Sequence, residues 1–208
     1  MNDDILSRVK TPEHTAKSYD LIAQRYADQW FTKPATLIID RFIGYVVSPS
    51  LVLDVGCGPG GYSYYMVSHG IRIIGIDMSR NMLNEASERC GFNKFARMNM
   101  LNMGINTDVF DGLWVCASFL HIPKRDAPVV LKELRRALRP GGVLFISVKR
   151  GRDERWIAHG SGHQRFFAFY QEDELDRLLA AAGFAVREGW LDADPLGRPE
   201  PWIVRLAE

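Results

Sequence analysis

The sequence predicts an α/β fold on a mostly parallel sheet, and three observations carry that prediction. Short apolar runs recur along the chain, each ends near a glycine cluster or an acid, and helix-forming stretches separate them. Consecutive parallel strands need crossover helices on the faces of the sheet, so this alternation places ligands at the carboxyl ends of the strands. With 208 residues, 47% hydrophobic and 25% charged, the chain suits one domain, 1–208, with a core and a small-molecule pocket.

Ahead of the first strand, 13–28 and 34–47 read as amphipathic helices, making 1–48 a candidate lid over the strand ends. Residues 51–55 form the first strand and run into Gly56; 71–76 form the second and end at Asp77. Segments 112–117 and 142–148 repeat the form. Between them, 62–68, 79–89 and 126–138 are helical, with Ser79 and Asp126 placed as N-caps. The stretch 149–170 has no clear period and reads as an insert on the substrate side. A helix over 172–182 closes at Gly183, and 184–191 and 202–206 read as the closing strands.

Composition excludes several functions. No apolar run approaches the roughly 20 residues needed to cross a bilayer. Met1-Asn2-Asp3-Asp4 opens with acids where a signal peptide needs a basic segment and then an apolar one, so a cytoplasmic location is expected. A formal net charge of +1 argues against a uniformly basic nucleic-acid binder. Cys57, Cys90 and Cys116 are odd in number and scattered, which fits reduced thiols better than a zinc site or a disulfide framework. His159 and His163 flank Gly160-Ser161-Gly162; glycines disfavour a ligand-presenting helix, so this reads as a flexible loop and no metal is expected.

The strongest signal is Leu51-Val52-Leu53-Asp54-Val55-Gly56-Cys57-Gly58-Pro59-Gly60-Gly61, a strand running into a glycine turn and then a helix. Gly56, Gly58 and Gly61 satisfy the dinucleotide-binding pattern, in which missing side chains let a ligand approach the backbone. Asp77 supplies a carboxylate for the two hydroxyls of an adenosine ribose. Asp54, just before the glycines, would repel a pyrophosphate and attract an ammonium group, which favours S-adenosylmethionine over a nicotinamide dinucleotide.

Three segments, Val52 to Gly60, Gly75-Ile76-Asp77-Met78-Ser79 and Leu138-Arg139-Pro140-Gly141-Gly142, together resemble the class I, Rossmann-like methyltransferases that use S-adenosylmethionine and release S-adenosylhomocysteine. The likeness covers about 19–183 and implies a three-layer α/β sandwich whose seven-stranded sheet has its last strand antiparallel. It puts the amino-acid end of the cofactor on Asp54 and the backbone of Gly56, Cys57 and Gly58, and the ribose on Asp77. Met78 and Met82 flank the adenine, and Ala117 and Ser118 border the methionine portion. Many relatives carry an aspartate for the adenine amino group after the third strand; Met98-Asn99-Met100 puts Asn99 there, whose amide oxygen still accepts but without charge assistance. Tyr19 and Tyr26 match the N-terminal motif that closes over the cofactor.

The sulfonium already leaves well, so the protein must align a nucleophile, exclude water and remove any proton. His121, after the predicted strand 112–117, is the candidate base, since an unperturbed imidazole has a pKa of about 6.5. The insert alternates basic and aromatic residues, among them Arg150, Arg155, Trp156, His163, Arg165 and Tyr170, suited to a planar or anionic acceptor. The chain therefore reads as a small-molecule O- or N-methyltransferase. Two alternatives remain. Arg165 to Tyr170 with Trp202 loosely resembles the aromatic tail of tRNA wobble-uridine methyltransferases, and the fold also serves noncatalytic cofactor-binding proteins.

Overall fold

In the computed structural model, which describes residues 12–46, 50–159, 163–194, 196–197 and 199–208, the apolar runs become the centre of a seven-stranded sheet. Its strands are β1 (Leu51–Val55), β2 (Arg72–Asp77), β3 (Phe95–Arg97), β4 (Phe110–Cys116), β5 (Leu138–Lys149), β8 (Val186–Asp192) and β9 (Trp202–Ala207). Their order across the sheet is β3-β2-β1-β4-β5-β9-β8. β1 to β5 pair in parallel, whereas β9 is antiparallel to both β5 and β8, so in this sheet β9 alone is reversed. The expected last antiparallel strand is therefore present.

Alternation within the strands explains why both faces are covered. Leu53, Val55, Leu113, Val115, Leu144 and Ile146 point to one core, which α6 (Ala127–Ala137) and α7 (Glu172–Ala181) close with Leu131, Leu134, Leu175 and Leu179. Val52, Trp114 and Phe145 point the other way, against Ile39 and Phe42 of α3 (Thr36–Tyr45) and Met66 of α4 (Gly61–Ser68). Successive strand residues face opposite sides, so continuous apolar runs are what a doubly covered sheet requires. Each large apolar side chain buried in this way contributes about 2–3 kcal/mol. Ser79 caps α5 (Arg80–Cys90) as expected, its hydroxyl accepting from Met82 N–H at 3.1 Å. Asp126 occupies the N-cap position of α6 but makes no side-chain cap bond.

Two regions differ from expectation. The single helix predicted over 13–28 breaks at Leu21 and Ile22 into α1 (Pro12–Asp20) and α2 (Ala23–Trp30), and Asp20, the last residue of α1, turns its side chain to another helix. Its Oδ1 accepts from Ser79 Oγ at 2.6 Å and from the Asn81 N–H at 2.9 Å, placing a carboxylate at the N-terminus of α5 where the helix dipole favours it. The insert is not irregular either: β6 (Glu154–His159) and β7 (His163–Ala168) form an antiparallel hairpin. His159 and His163 are facing residues at its end rather than part of a long loop, while 160–162 lie outside the described residues, as do 1–11 and 47–49 of the lid segment. α1 docks on β7 through the Phe166 N–H on Thr15 Oγ1 at 3.1 Å and Ser18 Oγ on Gln164 O at 2.6 Å.

Candidate active site

The glycine turn after β1 shapes a groove at the carboxyl ends of β1, β2 and β4. Gly56, Gly58 and Gly60 hold φ of 73°, 53° and 84°, left-handed values that an L side chain resists. At Gly56 a Cβ would come within 2.3 Å of Ser118 Cβ, so that glycine serves packing. At Gly58 nothing lies within 4 Å of such a Cβ, so that glycine keeps the groove open. The turn spends its own donors internally. Gly56 and Cys57 N–H both donate to Ile76 O, at 2.7 and 3.0 Å, and the Gly58 N–H donates to Asp77 Oδ2 at 3.0 Å. A diphosphate would find those three amides engaged.

Asp77 lines the groove, and its second oxygen accepts from the Ser79 N–H at 2.8 Å. Burial pushes its carboxyl up, against the pull of the Ser79 and Gly58 N–H groups. A carboxylate offers about four lone-pair sites, so two backbone donors leave room for a vicinal diol. Asp54 is placed differently: it is 2% exposed behind the turn, accepts from Ser63 Oγ at 2.7 Å, and does not line the groove. Burial raises its carboxyl to about 7, with the Ser63 hydroxyl opposing and the Asp77 charge adding to the rise.

Most of the expected groove residues converge. Tyr19, Tyr26, Gly56, Cys57, Gly58, Asp77, Met78, Met82, Met100, Ala117, Ser118 and His121 all line it. Asn99 does not; its Oδ1 accepts from the Leu101 N–H at 2.9 Å, stapling its own turn. Met98, Trp30 and Tyr62 line it without having been singled out, and a hydrophobic residue next to a glycine loop gives no sequence signal of its own. The thiols are poor nucleophiles, since burial raises Cys116 to about 11 and Cys90 to about 12 and lifts Cys57 well above its ordinary value.

A second cavity of about 440 Å³ adjoins the groove and shares Tyr19, Tyr26, Trp30, Ala117 and His121 with it. Ala117, at φ 55°, turns the chain sharply at this junction. Of the six insert residues expected to meet an acceptor, Arg165 alone lines this cavity. The others go elsewhere. Arg150 is exposed and its N–H donates to Pro201 O; Arg155 pairs with Asp153 and lies 4.2 Å over Phe169. Trp156 packs edge-on against His14 and Phe166, and His163 faces His159 at the hairpin end. Tyr170 is fully buried beneath Lys124, and burial raises its hydroxyl.

At the junction His121 Nδ1 lies 2.6 Å from Phe166 O and its Nε2 lies 2.9 Å from the Tyr19 hydroxyl. A carbonyl only accepts, so Nδ1 carries the proton and Nε2 is the acceptor in the neutral ring. Tyr19 then donates to Nε2, and its oxygen accepts from Arg165 Nη1 at 2.9 Å. The base candidate is thus reached through Tyr19.

A family model described as a methyltransferase domain matches residues 52–142, the span from β1 through the glycine turn to the start of β5. Over that span the chain matches the methyltransferase domain family. The chain is 35% identical over 103 residues to methyltransferase GfsG of Streptomyces halstedii, covering 46% of this chain and 36% of that protein. It is 30% identical over 173 residues to O-methyltransferase resE of Aspergillus sclerotiorum, covering 74% and 63%. The chain thus spans less than two thirds of either relative. The domain also has the fold of 1,6-didemethyltoxoflavin-N1-methyltransferase from Burkholderia thailandensis, solved with 1,6-didemethyltoxoflavin and S-adenosylhomocysteine bound, with a TM-score of 0.72, 23% identity, and coverage of 96% of this chain and 90% of that one. Among the described residues no helix is long and apolar enough to cross a membrane.

Proposed function

We propose that this methyltransferase domain moves the methyl group of S-adenosylmethionine to oxygen or nitrogen of a small molecule. The glycine turn carries the reading: an open face at Gly58, internally spent amides at Gly56 to Gly58, and Asp77 beside them suit a cationic nucleoside and not a diphosphate. When bound, S-adenosylmethionine supplies a methyl on a sulfonium leaving group. Asp77 holds the ribose hydroxyls, Met78 and Met82 pack the base, and Ala117 and Ser118 border the methionine end. Asp54 acts through Ser63 and its charge beneath the turn, not by direct contact.

Tyr19 stands where groove and acceptor cavity meet, so it is the residue that touches the acceptor. It passes a proton to His121 Nε2, making His121 a positioning residue with relay capacity. α1 and α2 cover the groove and the β6–β7 hairpin borders the adjoining cavity, with α1 tied to α5 by Asp20 and to β7 by Thr15 and Ser18. We read 1–208 as one domain with this cover. The free cysteines, of which Cys57 and Cys90 are buried, suit a cytoplasmic setting. Phe169 and Tyr170, which in sequence resembled a base-stacking tail, are buried, which favours a small acceptor over RNA.

The test is to incubate the purified protein with methyl-labelled S-adenosylmethionine and fractionated cell extract. Label is expected in the small-molecule fraction. Label in RNA alone would overturn the acceptor class, and none in any fraction would favour a binding protein without turnover.

A further inference from the structure

Among the described residues Arg165 is a cation without an acid. Its guanidinium lies 4.9 Å over the Tyr19 ring and 5.7 Å over Phe167, and Nη1 donates to Tyr19. Its Nε is buried and has no hydrogen-bond partner. Among the described residues no carboxylate pairs with it, and no Asp or Glu lines the acceptor cavity, whereas Arg25 does. The nearby acid Asp194 is taken by Lys149 and by Trp202 Nε1. A half-buried guanidinium with no acid beside it costs free energy until an anion reaches it. The remaining walls are aromatic: Tyr26, Trp30, Phe167 and Trp202.

We propose that the acceptor is a planar, conjugated oxyanion, such as an aromatic carboxylate, held by Arg165 and methylated on a hydroxyl oxygen. The inference rests on the methyl-transfer reading of the site. An alkylamine acceptor would arrive protonated, unable to attack and facing two arginines without an acid to balance it. A carboxylate meets the fork of Arg165, and the ring behind it stacks on the aromatic walls. The hydroxyl then points to the junction at Tyr19. Its oxygen bonds to the methyl carbon as the carbon–sulfur bond breaks and the electron pair stays on sulfur. The hydroxyl proton passes to the Tyr19 oxygen while Tyr19 gives its own proton to His121 Nε2, leaving an imidazolium that returns it to solvent.

The experiment is a calorimetric comparison of three probes, 3,4-dihydroxybenzoate, its methyl ester and 3,4-dihydroxybenzylamine, titrated into the full chain saturated with S-adenosylhomocysteine. The acid should bind about tenfold more tightly than the ester, and the amine more weakly still. Arg165→Met should erase the preference for the acid, and Arg165→Lys should keep part of it. Both variants should bind S-adenosylhomocysteine as the wild type does, since Arg165 does not line the groove, and that affinity also reports folding. Equal binding of acid and ester, stronger binding of the amine, or a preference that survives Arg165→Met would overturn the proposal. Failure of the wild type to bind S-adenosylhomocysteine would instead overturn the methyl-transfer reading.

Discussion

The Tyr19 hydroxyl donates to His121 Nε2 at 2.9 Å and accepts from Arg165, so one oxygen links helix α1, the turn after β4 and the hairpin strand β7. Removing that oxygen cuts the proton path without removing the ring. Tyr19→Phe should lower single-turnover methyl transfer about 10²–10⁴-fold, the usual worth of a positioned acid–base group, while S-adenosylhomocysteine affinity stays within a few-fold. His121→Gln should also slow transfer and flatten its pH profile. A wild-type rate and profile in both variants would remove the relay.

The two glycines of the turn should respond differently to the same substitution. Gly56→Ala forces a Cβ onto Ser118 and should compromise folding, seen as a lowered Tm. Gly58→Ala meets no protein atom and should fold, at a cost of about 1–2 kcal/mol for its left-handed backbone, but lose cofactor affinity. Unchanged cofactor binding in Gly58→Ala would mean that the ligand does not pass over this residue.

Asp54 predicts a pH signature of the cofactor-free protein. Its carboxyl, raised to about 7, binds a proton in the fold that the unfolded chain releases at about 3.9. Its contribution is therefore full below about pH 4 and lost as pH rises toward about 7. Asp54→Asn keeps an acceptor for Ser63 Oγ and should remove that part of the slope in urea unfolding. Parallel slopes in both proteins would show that Asp54 ionises normally.

The parts legible in sequence were those whose signal is local. β1, with its apolar run and glycine turn, is where the residue pattern put it, because a doubly buried strand must read as unbroken apolar sequence. β3, only three residues long, offers no run to detect. The β6–β7 hairpin stayed hidden because its residues are mostly half-exposed, so no polar–apolar alternation marks it. That same geometry splits the hairpin's side chains between opposite faces, which is why Arg165 reaches the cavity and Trp156 does not. The break after Asp20 sits beside a tertiary bond from Ser79 to the Asp20 carboxylate that no local propensity encodes.

A buried ion pair fixes one wall of the acceptor cavity. Lys149 pairs with Asp194, donates to Glu200 O at 2.7 Å and lies 4.6 Å over Trp202. Lys149→Met or Asp194→Asn alone should cost about 3–5 kcal/mol, because each strands a buried partner. Lys149→Met with Asp194→Leu should recover much of that loss. Additive losses in urea unfolding would contradict a coupled pair.

The central claim is that the groove beside Asp77 binds the adenosine of S-adenosylmethionine and of its product S-adenosylhomocysteine. Calorimetry with S-adenosylhomocysteine on wild type, Asp77→Asn and Asp77→Ala tests it most directly. The account predicts one site per chain, affinity lowered at least about tenfold in Asp77→Ala and less in Asp77→Asn, which keeps one acceptor oxygen, and no binding of NAD. Equal affinity in all three proteins, or tight binding of NAD to the wild type, would contradict it.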